Sequence, residues 1–244
     1  LGDVYKRQEE IIEEDATSIW YPVAGFWDGN GPQDWAVRRY NKASGRTEDL
    51  KIPNNIQAKS LTIVNGLIVT GGRGHYGYGE GLAVLDKTGK TLWSAKDAGA
   101  SYTHPFILGS EDTVFTANQD GIIQKRSIYT GTIVSQSSSQ GYFVNAAGEK
   151  VRTAPELLGA LRDGGILCVE DINGDRTLTK YNSELQKVWS NTFAQLGSET
   201  WDMQDMTELS NGNLGIVANG TPRDGKPGTG SSILEVTPSG NIVS

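Results

Sequence analysis

The sequence predicts an all-β chain: a β-propeller of four-stranded blades, with about five blades present and some of them partial. Three observations carry this reading. One pattern recurs along the chain: an apolar strand, a Gly or Asn turn, a second apolar strand, then a polar hairpin closed by Trp or Ser. It is clearest in LIVTGGRGHYGYGEGLAVLDKTGKTLW (67–93) and TVFTANQDGIIQKRSIYTGTIVS (113–135). ILCVEDINGDRTLTKYNSELQKVW (166–189) and LGIVANGTPRDGKPGTGSSILEVTPSGNIVS (214–244) follow it. Second, the polar hairpins align on Gly45, Gly89, Gly131, the Ser183-Glu184 pair and Gly240, at spacings of 42 to 56 residues, near the repeat of a four-stranded blade. Third, sustained helical periodicity is scarce, whereas short apolar runs bounded by Gly are frequent.

In chain order, the first residues stand apart. Asp3-Val4-Tyr5-Lys6-Arg7-Gln8 is the in-frame translation of GATGTGTATAAGAGACAG, which resembles a transposon end used in sequencing libraries. Residues 1–8 are therefore read as a scar and left out of the fold. Residues 9–15 (EEIIEED) are short and acidic and read as a linker or a frayed helix, and the blades occupy 16–244. The last residues, 240–244, reach only the start of an outer strand. The chain thus reads as an internal piece of a longer protein, expected to form an open arc or to close poorly, since closure is what protects propeller edges.

Each blade parses as strands A, B, C and D from the channel outwards. In one full copy, strand A lies near 105–108, B at 114–117, C at 122–127, and D begins at Thr132, with Gln119-Asp120-Gly121 as the B–C turn. Gly in the hairpins supplies the positive φ that tight turns need. The B strands are nearly all apolar, as strands buried on both faces are. Residues 154–161 align with strand A of the other copies, and 132–148 reads as an extended connection carrying a small hairpin.

Composition narrows the function. The net charge is −7 and the pI about 4.9, so the surface repels phosphate backbones and nucleic acid is not an expected partner. No apolar run approaches the roughly 18 residues of a membrane span. The single Cys168 sits in the apolar run Gly165-Ile166-Leu167-Cys168-Val169 and reads as a buried, inert thiol.

The D-x-x-T-G-x-x-x-W signature at Asp86, Thr88, Gly89 and Trp93 resembles the repeat of the pyrroloquinoline-quinone-type (quinoprotein-like) propellers. Tyr129-Thr130-Gly131 repeats the turn with Ser135 at the Trp position, and Trp189 keeps the Trp. The resemblance implies that this Trp docks one blade on the next. It implies a fold far more than a chemistry, since one scaffold hosts many functions. Locally, residues 202–213 (DMQDMTELSNGN) resemble the H-x-D-x-x-x-L-x-N-G-N pattern of arylsulfotransferase-type propellers. That family's resemblance implies a nucleophilic His, and here Met203 and Gln204 stand in its region, which argues against sulfuryl transfer at this blade.

Candidate sites follow from blade geometry, which puts the B–C and D–A connections on one face. The B–C loop 71–81 (GGRGHYGYGEG) offers Arg73, His75, Tyr76, Tyr78 and Glu80, its aromatic rings and Arg suited to a sugar, an aromatic or an anion. A second long loop, 219–231, holds Arg223, Asp224 and Lys226. Aligning the blades places Ser60, His104, Leu157 and Asp205 at equivalent points near the start of strand A. There His104 with Asp205 would make a proton-transfer pair, although two blades are expected to separate them. Asp171, Asn173 and Asp175 resemble the start of a calcium loop, but Arg176 and Asn182 break its continuation. No cofactor is predicted, and calcium is the one left open. The favoured reading is a non-catalytic binding or scaffold propeller of an exported bacterial protein, periplasmic or extracellular. Its partner would be a protein, or a carbohydrate or other small-molecule ligand, at one face. The alternative is an enzyme, arylsulfotransferase-like or quinoprotein-like, with active residues partly outside this chain.

Overall fold

Apolar strands broken by Gly and Asn turns pair into successive antiparallel sheets in the computed structural model. It describes residues 13–23, 26–27, 32–33, 35–72, 80–101, 103–110, 112–138, 141–172, 175–192, 199–222 and 230–243. The first sheet contains β1 (Glu13–Glu14), β2 (Ser18–Val23), β5 (Ala36–Asn41) and β6 (Thr47–Lys51), in that order. Between β2 and β5, β3 (Phe26–Trp27) and β4 (Pro32–Gln33) pair with each other. Of the acidic segment, Glu13 and Glu14 are strand, paired with Trp20 and Ile19, and residues 9–12 lie outside the described residues. A short 3-10 turn, Pro53–Asn55, leads to the second sheet: β7 (Ser60–Val64), β8 (Leu67–Gly72), β9 (Gly81–Asp86) and β10 (Thr91–Ala95).

The third sheet has β11 (Phe106–Leu108), β12 (Thr113–Ala117), β13 (Ile123–Ser127) and β14 (Ile133–Gln136). A hairpin of β15 (Tyr142–Val144) and β16 (Lys150–Arg152) follows, as the connection at 132–148 suggests. The fourth sheet has β17 (Glu156–Ala160), β18 (Ile166–Ile172), β19 (Asp175–Tyr181) and β20 (Lys187–Asn191), and β15 joins it through a parallel bridge from Tyr142 to Ile172. The fifth has β21 (Glu199–Glu208), β22 (Leu214–Pro222) and β23 (Gly230–Val236), with Val236 also bridged to Ile242. The chain divides into two compact units, Leu1–Lys96 with the first two sheets and Asp97–Ser244 with the other three.

Within the second unit, the fourth sheet is packed on both faces. Ile166 and Cys168 of β18 point into a cluster with Phe115, Ala117 and Ile123 of the third sheet. Leu167 and Val169 point the other way, onto Met203, Leu214, Ile216, Leu234 and Val236 of the fifth. Period-2 alternation makes this possible, and it is why the run reads as uniformly apolar. Each such fully buried side chain contributes about 1.5–3 kcal/mol. In the first unit, Trp20, Val37 and Leu50 meet Leu61, Ile68, Ala83 and Leu85 in the same manner.

Polar hairpins fasten neighbouring sheets at their rims. The residue with positive φ is Gly45, Gly89, Gly131 or Gly240, and in the fourth sheet it is Leu185 (φ 60). The turn expected at Ser183-Glu184 is centred there, and its positive φ falls on the following residue, Leu185. Leu185 N donates to Asn182 O as Gly89 N does to Asp86 O, and Leu185 accepts this backbone because its side chain is buried in the core shared with the third sheet. In the last pair of sheets, Trp189 Nε1 donates to Pro238 O at 2.8 Å and Asn191 Nδ2 to Gly240 O at 2.8 Å. A Cβ on Gly240 would lie 2.8 Å from the Trp189 ring. In the first unit Asp15 performs a comparable fastening. It accepts from Thr17 N, Ser18 N and Trp20 Nε1, and from Lys87 Nζ at 2.6 Å.

Two predictions follow from these fastenings. Gly240→Ala should destabilise the second unit by about 1–3 kcal/mol, and by more than Gly212→Ala. Both positions have positive φ, but nothing lies within 4 Å of a Cβ at Gly212. Equal shifts in urea midpoint for the two variants would remove the docking role of Trp189. The hydrogen bond from Lys87, then that from Thr17, holds the Asp15 carboxyl well below the usual carboxylate range. A depressed pKa contributes stability above the unfolded-state value and loses it as pH falls. Asp15→Asn should therefore cost about 1–2 kcal/mol near neutrality, and the gap from wild type should close as pH falls below about 4.

Candidate functional site

The first strands of the third, fourth and fifth sheets, β11, β17 and β21, lie side by side. They form a cleft of about 510 Å³ whose lining includes His104, Leu158, Gly159, Arg162, Asp205 and Glu208. The approach to His104 is tied to β17 by side chains. Ser101 Oγ accepts from Leu157 N at 2.9 Å, and Thr103 Oγ1 donates to Leu157 O at 2.6 Å. Pro105 restricts the His104 backbone to extended conformations.

Asp205 reaches the cleft because β21 is bulged. Its register with β22 runs from Met203 opposite Ala218 to Asp205 opposite Val217, so Gln204 is the extra residue. Strict alternation from Met203 would send Asp205 into the core. The bulge reverses the faces: Met203 and Met206, an odd three residues apart, both pack on one apolar cluster, and Asp205 turns outward. β17 carries a similar bulge at Leu158. Gly159 follows it, and a Cβ there would overlap the Met206 sulfur. The missing side chain lets the two strands approach closely.

His104 Nε2 lies 3.8 Å from Asp205 Oδ1. This is ion-pair range but longer than a hydrogen bond, and Nε2 is shielded from solvent without a hydrogen-bond partner among the described residues. The expected separation of these residues by two blades is thus corrected: one strand, β17, stands between their strands, and its Gly159 presents no side chain. Asp205 Oδ1 also accepts from Met206 N at 2.7 Å. Three residues along β21, about 10 Å away, Glu208 Oε2 accepts from Arg162 N at 2.9 Å and lies 3.4 Å from Arg162 Nε. Arg162 and Glu208 escaped sequence reasoning because both flank A–B turns, which blade geometry assigns to the opposite face. The odd Met203–Met206 spacing was the available signal for the bulge.

The other candidates fare differently. Arg73, His75, Tyr76 and Tyr78 lie outside the described residues, as do Arg223, Asp224 and Lys226. Of the calcium candidates, Asn173 is outside them too, while Asp171 and Asp175 belong to the two strands of the β18–β19 hairpin. Among the described residues no group of three or more His, Cys, Asp or Glu is placed to hold a metal ion. None of their helices is long and apolar enough to cross a membrane. In the region where the arylsulfotransferase pattern has His, Met203 is buried and Gln204 is the bulge residue.

No protein-family model matches the chain, and no curated protein sequence matches it. Solved structures do. A europium-containing methanol dehydrogenase is 14% identical, with 96% of this chain and 50% of that one covered at a TM-score of 0.55. KlHsv2 with loop 6CD replaced by a Gly-Ser linker is 15% identical, covering 86% and 64% at 0.51. The WD40 β-propeller domain of Doa1 is 12% identical, covering 88% and 60% at 0.49. The chain spans between 50% and 64% of the length of these structures. With the recurring four-stranded antiparallel sheets, the likeness to the methanol dehydrogenase and KlHsv2 structures defines a β-propeller fold.

One further buried group lies behind the cleft's core. Glu170 is 1% exposed, accepts from Tyr181 Oη at 2.9 Å and lies 3.6 Å from Lys187 Nζ. Burial first, and then the Glu170 charge, pushes the Cys168 thiol up. A thiol so placed carries little thiolate. Cys168 should stay unreactive toward an aromatic disulfide reagent in the native protein and react fully in denaturing urea. Rapid native labelling would show that the third and fourth sheets separate.

Proposed function

We propose that this chain is a non-catalytic binding or scaffold propeller whose ligand occupies the cleft along β11, β17 and β21. The make-up of that cleft carries the reading. Ile107, Leu108 and Ala160 supply apolar surface, and the His104–Asp205 and Arg162–Glu208 pairs supply polar groups at its two ends. A recessed apolar surface with a few placed polar groups is the usual composition of a ligand site. The quinoprotein-like repeat belongs to the same proposal, supported by the Trp189 contact with Pro238 and Gly240. Export from a bacterial cell rests on the repeat resemblance alone.

The 3.8 Å approach of His104 to Asp205 favours a second reading, an enzyme. A carboxylate facing Nε2 orients the ring and leaves Nδ1 for proton transfer. One experiment separates the two. The imidazole resonance of His104, assigned with His104→Gln, is followed while mixtures of sugars, amino acids and alkyl carboxylates are added. Binding at the cleft predicts that a subset of compounds shifts this resonance, and that Thr207→Trp, which obstructs the cleft from an exposed position, removes the shifts. No shift, or shifts indifferent to Thr207→Trp, would sink the cleft reading. Consumption of a compound that stops in His104→Gln would establish the enzyme instead.

A further inference from the structure

The charges around the cleft are not balanced. Arg162 is engaged by Glu208, through the 3.4 Å contact of its Nε and the 2.9 Å bond from its own backbone N–H. Asp205 has no Lys or Arg within ion-pair distance among the described residues, and only the His104 imidazole faces it, at 3.8 Å. Its side chain is 64% exposed, and Oδ1 takes the Met206 N–H. Among the described residues that line the cleft, one Arg, Arg162, stands against two carboxylates, Asp205 and Glu208. The chain as a whole, these residues included, has a net charge of −7. An entering anion would meet an unneutralised Asp205 and find its one arginine already committed.

We propose that the cleft selects a primary ammonium group carried on a short apolar stem. The ammonium sits at Asp205, and the stem lies along Ile107, Leu108 and Ala160. An ammonium supplies three donors, which suits a carboxylate whose second oxygen is open. Ile107, Leu108 and Ala160, each only partly buried, give the wall against which the methylenes would pack. The same chemistry is offered by a free alkylamine and by a lysine side chain of a partner protein. This assignment rests on the cleft being a ligand site.

Titrations followed on the His104 imidazole resonance, using n-pentylamine, Nα-acetyllysine amide and pentanoate as probes, test it. The amines should bind and pentanoate should not. Asp205→Asn should weaken amine binding about tenfold or more, and it should leave the fold intact because the side chain is exposed. Tighter binding of the acetyllysine amide than of n-pentylamine would point to a protein lysine, and the reverse order to a free amine. Pentanoate binding as well as the amines, or an Asp205→Asn variant with unchanged affinity, would overturn the ammonium assignment and leave the cleft standing. If no probe binds while the broader mixtures do shift His104, the assignment also falls alone. Silence in both experiments removes both.

Discussion

The second unit depends on one physical arrangement: an apolar strand, β18, buried from both sides. Alternate residues of one short run serve two cores, Ile166 and Cys168 for one and Leu167 and Val169 for the other. The hydrophobic effect is indifferent to direction, so a strand that is apolar at every position binds two neighbours at once. Rim contacts such as Trp189 on Gly240 then fix the lateral position of sheets that apolar packing alone would let slide.

The candidate site is a by-product of that packing and of two local departures from it. Sheets that stack face to face bring their first strands together, which places His104 and Asp205 on neighbouring walls although a hundred residues of chain separate them. Regular alternation would nevertheless have hidden Asp205. The bulge at Gln204 spends one residue to reverse the faces of β21, so Met206 enters the core and Asp205 faces outward. Gly159 contributes by absence, since any side chain there would collide with Met206. Sheet packing, the bulge and the glycine are all needed to form the cleft.

The unit also separates polar groups by role. Glu170 and Tyr181 are buried and hydrogen-bonded to each other, and Lys187, partly exposed, faces Glu170 at 3.6 Å from the rim. Asp205 and Arg162 carry their charge at the surface of the cleft, with exposures of 64% and 72%. Burial would make an unpaired charge costly at the first set, whereas partial exposure makes it tolerable at the second.

By itself the sequence determined the fold class, the strand order and most hairpins. These follow from local physics: period-2 patterning, apolar runs of strand length, and glycines where φ must be positive. It nominated His104 and Asp205 from their alignment at strand starts, but set them two blades apart. It read Glu13 and Glu14 as helix or linker, because acidic residues give no strand signal and only pairing with Trp20 and Ile19 makes them one. It also missed Leu185, whose strained backbone is held by tertiary burial rather than by a glycine. The meeting of His104 with Asp205, the Arg162–Glu208 pair and the cleft between them were decided by tertiary structure alone. They depend on which strands become neighbours and on a one-residue register shift, and both are set by packing between sheets that no local pattern encodes.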